Sequence, residues 1–186
     1  MANGQITTSD TGCVCNAIRI VDYDPEWPRR FECEAGAIGS TLGVHALRIE
    51  HVGSTSVPGL PAKPVVDIVL AVADSSQEPE YASSLEHAGY YLRIREPNWH
   101  QHRMFNNAPA DVNLHVFTTG CSEIDRMLRF RDWLRANPAD RELYERTKKE
   151  LAGRSWKTVQ DYADAKTAVV EEILCRAGFQ QFSTCG

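Results

Sequence analysis

Residues 65–72 read Val65-Val66-Asp67-Ile68-Val69-Leu70-Ala71-Val72, an apolar run in which Asp67 is the one charged side chain. A run of this length, rich in β-branched residues, is typical of a strand that is buried on both faces. It therefore predicts a strand in the centre of a sheet. A buried carboxylate is costly unless it is paired, so Asp67 predicts a cation, a metal ion or hydrogen-bond donors beside it.

A second run, residues 112–118, also predicts a strand, and it carries Asn113 and His115. Side chains two residues apart on a strand share a face, so Asn113 and His115 point to the same side. If the two strands are neighbours, Asp67, Asn113 and His115 form one polar site. The alternative is structural, with Asp67 holding the loop that precedes its strand.

Turn, cap and periodicity signals predict the other elements. Strands are expected at residues 45–52 and 90–95, with an extended segment at 99–106, and helices at 24–43, 78–88, from 122, from 138 and at 159–177. Strands first and helices afterwards predict an α+β fold, in which helices flank a mixed sheet and a helical segment forms the C-terminal part.

The length of 186 residues allows one full domain. We expect a disordered tail at 1–17, a single domain at 18–178 (an α/β core at 18–120 and a helical part at 121–178) and a second tail at 179–186. The net charge of −5 argues against nucleic-acid and membrane partners, but it allows a small anionic substrate. Without an apolar run of about 20 residues or a secretory signal, the expected location is cytoplasmic. The six cysteines are then expected as free thiols.

The loop between the first two strands begins with Gly53-Ser54-Thr55-Ser56. Such a turn offers backbone N–H groups and three hydroxyls, which can hold phosphate oxygens. Prolines and glycines in residues 53–64 give this loop a fixed course. The turn therefore predicts a phosphate-binding element close to Asp67.

The motif His51-x-Gly53-Ser54-Thr55-Ser56-Val57-Pro58-Gly59-Leu60-x-Ala62-Lys63-Pro64-x-x-Asp67-Ile68 resembles the signature of the GrpB family. The resemblance continues in residues 103–105, 113–115, 130–135, 144–148 and 162–166, and it covers about residues 19–178. It implies a nucleotidyltransferase-like fold of the polymerase-beta type. In that fold a Gly-Ser turn holds a nucleotide triphosphate, and carboxylates on two strands hold two metal ions. Here Val69 stands at the second carboxylate position, and His115 or Asn113 at the third.

The sequence therefore predicts Asp67 and His115 as catalytic residues and as ligands of one divalent metal. The predicted substrate- and phosphate-binding residues are His51, Gly53, Ser54, Thr55, Ser56, Lys63, Arg103, Asn113, Arg131, Lys148 and Lys166. His100 and His102 would share a face in an extended segment and could extend a metal site. The alternative places both histidines in an exposed loop.

Three functions remain open at this point. The first is a nucleotidyltransferase-type enzyme that uses ATP or another nucleotide. The second is a cyclase, isomerase or transferase in which Asp67 and His115 act as base and acid, since the unperturbed pKa of histidine, about 6.5, is near neutral. The third is a nucleotide-binding module without catalysis.

Overall fold

The sheet is mixed and has five strands in the part of the chain that the computed structural model describes, residues 18–109 and 111–179. The strands are β1 (Arg48–Val52), β2 (Val66–Val72), β3 (Tyr90–Glu96), β4 (His102–Asn107) and β5 (Val112–Thr118). Their order is β1-β2-β5-β4-β3, with β2 and β5 parallel and the other neighbours antiparallel. The predicted mixed sheet is confirmed. β2 is an interior strand, although β5 takes the middle position.

Six α-helices accompany the sheet in the described residues. They are α1 (Glu26–Leu42), α2 (Ala82–His87), α3 (Ser122–Ala136), α4 (Pro138–Ala152), α5 (Val159–Asp164) and α6 (Thr167–Arg176). The predicted α+β class with C-terminal helices is confirmed. Among the helices of these residues, none combines the length and the apolar character needed to cross a membrane.

Successive side chains of β2 point to opposite faces of the sheet, and the two faces are covered by different helices. Val66, Ile68 and Leu70 are fully buried in the main core, which α1 and α2 cover with Trp27 and Leu85 among others. On the opposite face, Val69 and Ala71 pack with Phe117 of β5 and with Ile124 and Leu128 of α3. Asp67 lies on this second face, beyond the area that α3 covers. The polar site therefore lies where the apolar cover of the sheet ends.

The start and the end of α1 follow from local chemistry. The Asp24 carboxylate accepts a hydrogen bond of 2.9 Å from the backbone N–H of Glu26, the first helical residue, and Pro25 takes the N-cap position expected for Asp24. The helix ends at Gly43, whose φ of 53° is favourable for glycine.

Several predicted bounds need correction. The chain between α1 and β1 forms a 3₁₀ turn, Gly43–His45, so β1 is shorter than the predicted strand at 45–52. The predicted helix at 78–88 is divided into a 3₁₀ turn, Glu78–Glu80, and α2, because the backbone of Tyr81 leaves the helical region at φ −141°. The predicted helix at 159–177 is two helices, α5 and α6.

The predicted tails at 1–17 and 179–186, apart from Phe179, lie outside the described residues, and so do Cys13, Cys15 and Cys185. Within the described part, Cys33, Cys121 and Cys175 are free thiols.

Candidate functional site

The pairing of β2 with β5 brings Asp67, Asn113 and His115 together. Asp67 is opposite Asn113 in the parallel register, and His115 follows two residues later on the same face. The Asn113 side-chain amide donates to Asp67 Oδ1 at 2.8 Å, and Asn106 of β4 donates to Asn113 Oδ1 at 2.8 Å. His115 Nε2 lies 3.8 Å from Asp67 Oδ1, which is an ion-pair distance rather than a hydrogen bond.

The Asp67 carboxyl group is held in its ionised form. Burial by itself would raise its pKa, but His115, Asn113 and the charge of Lys166 act in the opposite direction. The net result is a pKa below the ordinary value of 3.8. The Asp67 side chain is still 28% exposed, so its oxygen atoms can meet a ligand. At neutral pH the site therefore presents a carboxylate beside an imidazole.

Gly53 passes so close to Asp67 that no side chain fits there. A Cβ atom on Gly53 would lie 2.3 Å from Asp67 Oδ2, and the φ of 68° is a conformation that favours glycine. Ser54, Thr55 and Ser56 form a 3₁₀ turn directly after it. The Arg135 guanidinium fixes this turn by donating twice to the Ser56 carbonyl oxygen, at 3.0 and 2.8 Å.

A cavity of about 610 Å³ opens above Asp67. The sheet and the loop after β1 supply one side of it, and α4 and α5 together with Lys166 supply the other. Its polar lining residues are Ser54, Thr55, Lys63, Asp67, Arg93, Asn106, Asn113, His115, Lys148, Gln160, Tyr162 and Lys166. Four of them are Lys or Arg, whereas Asp67 is the one acid among the lining residues that the structure describes. The cavity is therefore cationic in a chain of net negative charge.

Two cations come from the helical part and lie over aromatic rings. Lys148 Nζ lies 4.9 Å from the centre of the Tyr144 ring, and Lys166 Nζ lies 4.7 Å from that of Tyr162. Lys148 is 2% exposed, and its ammonium group donates to the carbonyl oxygen of Pro61. Burial and the nearby charge of Lys166 lower the pKa of Lys148 to about 7. Lys148 is therefore only partly charged at neutral pH.

The hydroxyl of Tyr162 is buried and makes no hydrogen bond within the described residues. Buried polar atoms are nearly always satisfied, so an unpaired hydroxyl on a cavity wall is a place for a ligand or a water molecule. Tyr162 is one of the residues that line the cavity.

Five predicted binding residues, Gly53 among them, lie outside the cavity lining. His51 faces α1, where its ring stacks on Phe31 at 4.8 Å and its Nε2 lies 3.0 Å from Thr55 Oγ1. Burial lowers the pKa of His51 to about 4, so this ring is neutral. The Ser56 hydroxyl donates back to the Gly53 carbonyl oxygen at 2.6 Å. These two residues support the turn.

Arg103 and Arg131 are already paired with carboxylates. Arg103 lies on the face of the sheet opposite His102, where its Nε donates to Glu78 at 2.6 Å. Arg131 donates to Glu50 at 2.9 Å and to the backbone carbonyl oxygen of His51 at 3.0 Å. Both guanidinium groups therefore stabilise the protein, and neither reaches the cavity.

The two histidines of the segment before β4 separate. Residues 99–101 form a turn, in which His100 has a φ of 52° and an exposed side chain. His102 begins β4, is 4% exposed, and contacts His115 through Nε2 at 3.0 Å from His115 Nδ1. The shared face expected of an extended 99–106 segment is therefore corrected by this turn.

A metal site does not fit these residues. Among the described residues, no three or more His, Cys, Asp or Glu side chains are grouped so that they could hold a metal ion. Asp67 and His115 are two ligands, and the oxygen of Asn113 already accepts a hydrogen bond from Asn106. Divalent cations need more donors than this.

The model of the GrpB protein family matches residues 17–176 of this chain. This chain belongs to the GrpB family. A UPF0157 protein of Halalkalibacterium halodurans is 58% identical over 161 residues, which cover 87% of this chain and 83% of that protein. The crystal structure of the conserved protein GrpB from Enterococcus faecalis matches with a TM-score of 0.76 at 32% identity, and the match covers 86% of this chain and 96% of that one.

A third relative is larger. A dephospho-CoA kinase of Mycolicibacterium paratuberculosis is 29% identical over 186 residues, a match that covers 86% of this GrpB chain and 46% of the kinase. The GrpB domain therefore corresponds to about half of that protein.

In this GrpB protein, Val69 stands on β2 at the position of the second carboxylate that the resemblance implied. Val69 is fully buried, and it packs with Val52, Ala71 and Phe117 under α3. A carboxylate there would point into an apolar cluster. The resemblance implied two metals held by paired carboxylates, and the residues of this chain do not supply them.

The sequence did not indicate Arg93 and Gln160, which line the cavity, or Glu96, whose Oε2 lies 2.7 Å from His102 Nδ1. Arg93 lies at an irregularity in the pairing of β3 with β4, between Leu92 and Ile94, and a simple alternation does not reveal where its side chain goes. Gln160 belongs to α5, whose position over the sheet depends on tertiary packing.

Proposed function

We propose that the cavity of this GrpB protein binds a nucleotide or another phosphorylated small molecule and acts on it. The observation that supports the proposal is the charge of the lining: Lys63, Arg93, Lys148 and Lys166 surround a single carboxylate. Lysine and arginine in a partly enclosed cavity favour phosphate oxygens. A volume of about 610 Å³ is within the range of small-molecule sites.

A melting-temperature screen tests binding. A ligand at a hundred times its dissociation constant stabilises the folded state by about 2.7 kcal/mol. For a chain of this length, that corresponds to about 5–10 °C. The panel holds ATP and other nucleotides, inorganic phosphate and, because a dephospho-CoA kinase carries a matching segment, CoA species.

Two matched lysine variants make the screen specific. Lys166→Gln removes a charge from the cavity wall and should abolish the shift. Lys149→Gln removes an exposed charge whose partner is Glu145, and it should leave the shift intact. If no ligand of the panel stabilises the protein, or if both variants respond alike, the proposed phosphate site is wrong.

We propose proton transfer, rather than two-metal nucleotidyl transfer, as the chemistry on the bound molecule. The Asp67–His115 pair favours it, since an ionised carboxylate lies 3.8 Å from an imidazole on the cavity wall. Such a pair can remove and return a proton in a cyclase, isomerase or transferase reaction. The cationic lining would then bind the phosphate group of the substrate, while Asp67 and His115 act on another part of the molecule.

The variants Asp67→Asn and His115→Ala test this chemistry. Ligands that raise the melting temperature are incubated with the wild type and with both variants, and products are followed by mass spectrometry. We expect both variants to lose turnover while they keep their melting temperature to within a few degrees. A loss of activity that only follows a loss of folded protein would assign Asp67 and His115 a structural role instead.

A further inference from the structure

Four side chains lie in line from the end of β3 to the cavity. Glu96 has 46% of its side chain exposed, and its Oε2 lies 2.7 Å from His102 Nδ1. His102 Nε2 lies 3.0 Å from His115 Nδ1. His115 Nε2 then faces Asp67 Oδ1 at 3.8 Å. His102, His115 and Asp67 lie on β4, β5 and β2, which are adjacent strands of one sheet.

Hydrogen-bond chemistry fixes the direction of each contact. An ionised Glu96 carboxylate can only accept, so His102 must donate from Nδ1. Burial and the neighbouring His115 hold the pKa of His102 well below its ordinary value of 6.5, which favours the neutral ring with a single N–H. With the proton on Nδ1, His102 Nε2 must accept, and the donor is His115 Nδ1. Glu96 therefore determines which nitrogen of His102 carries the proton, and His102 in turn determines which nitrogen of His115 carries it.

Packing keeps the His102 ring in this orientation. It stacks on Phe117 with ring centres 4.7 Å apart, and the Trp99 ring meets it edge-on at 5.3 Å. The rings of His102 and His115 are nearly parallel, with an interplanar angle of 19°. The charged groups that share the cavity with His115 are Asp67 from β2, Arg93 from β3, Lys148 from α4, and Lys63 and Lys166. None of these competes for His115 Nδ1, since that atom already faces His102.

We propose that Glu96 and His102 are positioning residues that fix neutral His115 as its Nδ1–H tautomer, so that Nε2 is the atom that exchanges a proton with the cavity ligand. This role rests on the proposed proton transfer. The ligand gives a proton to His115 Nε2, and the imidazolium that forms keeps its Nδ1–H bonded to His102. Its positive charge lies beside the Asp67 carboxylate. Return of the proton from Nε2 to the ligand restores the neutral ring.

Nitrogen-15 NMR of histidine-labelled protein tests the tautomer directly, at a pH where His115 is neutral. His115→Asn assigns the signals by the loss of one ring. In the wild type we expect the proton of His115 on Nδ1 and that of His102 on Nδ1. His102→Phe keeps a flat apolar ring but removes the acceptor, and it should move the His115 proton towards Nε2.

Glu96→Ala is the second variant, and it leaves the buried rings in place. We expect it to release His102 from its single tautomer and to give a mixture at His115 as well. The exposed His45 serves as the control whose signals stay unchanged. A wild-type His115 protonated on Nε2, or a His115 tautomer that is identical in all three proteins, would overturn the proposal. Because no substrate is added, the ligand screen can fail while this result stands, and the two proposals are tested separately.

Discussion

Gly53 is the residue where backbone conformation and site geometry meet most closely. We expect Gly53→Ala to cost about 2–4 kcal/mol, because the new methyl group adds a clash with the Asp67 carboxylate to the strain of a positive φ. The matched control is Gly59→Ala, which has a φ of 77° and nothing within 4 Å of the added Cβ. It should cost only the backbone strain, about 1–2 kcal/mol.

Urea denaturation of both glycine variants gives the two free energies of unfolding. Their difference measures the contact between the added methyl group and Asp67. Equal losses in the two variants would show that Asp67 moves away freely and that the close approach is not required.

Lys148 should make stability depend on pH. Its pKa falls from 10.5 to about 7 on folding, so between these values the unfolded chain binds the proton more readily than the folded one. Stability therefore rises with pH across this window, by up to about 1.4 kcal/mol per unit, and the full penalty applies below pH 7. Lys148→Met removes the titrating group, so its free energy of unfolding, relative to that of the wild type, should fall between pH 7 and pH 9.

The control for this pH dependence is Lys149→Met, since Lys149 is an exposed neighbour on α4 that pairs with Glu145. Unfolding free energies of the three proteins at pH 6, 7, 8 and 9 are compared. Parallel pH profiles for the wild type and Lys148→Met would mean that Lys148 stays fully charged in the folded protein.

Residue-level prediction from sequence succeeded where a strand period decided the outcome. Asp67, Asn113 and His115 were expected on one face because every second residue of a strand shares it, and the structure places them there. Glu96 was missed, and His102 was expected on one face with His100, because the turn at residues 97–101 has two positive φ values, which an extended segment excludes. Pro97 and Asn98, at the start of this turn, are the turn signal that the sequence contains.

At the scale of elements, Asp140 joins three helices of the C-terminal part. From its position on α4 it accepts from Trp133 Nε1 of α3 at 2.7 Å and from Arg176 of α6. We expect Asp140→Ala to cost about 2–4 kcal/mol, because an indole N–H and a guanidinium lose a buried acceptor together. Glu150→Ala, which removes an exposed partner of Arg154 on the same helix, should cost less than about 1 kcal/mol.

Denaturation curves of the two α4 variants check this prediction. A loss for Asp140→Ala that is no larger than that for Glu150→Ala would show that α3 and α6 are held to α4 by apolar packing alone.

Helix ends were predictable where a cap or a proline marks them. Asp24 and Pro25 directly precede α1 and Pro138 begins α4, and both signals are visible in the sequence. The break between α5 and α6 gives no such signal, since residues 164–168 contain neither glycine nor proline. At this break the Lys166 ammonium lies over the Tyr162 ring of the preceding helical turn.

At the scale of the whole molecule, we expect no Mg²⁺-dependent release of pyrophosphate from nucleoside triphosphates. The reason is the ligand set: Val69 is buried under α3, and Asp67 remains without a second acid on its face of β2. A pyrophosphate assay with the four common nucleoside triphosphates checks the expectation. Robust Mg²⁺-dependent release that Asp67→Asn abolishes would contradict it.

The two sides of the cavity are synthesised at different times, because they come from an early and a late part of the chain. A ribosome makes the chain from its N-terminus, so the strands that carry Asp67 and His115 emerge well before Tyr162 and Lys166. Until α4, α5 and Lys166 leave the exit tunnel, the sheet exposes its carboxylate to water and lacks the wall that encloses a ligand. A ligand of the cavity can therefore stabilise only the finished chain. Nascent chains stalled before α4 should gain no protease resistance from a ligand that protects the released protein.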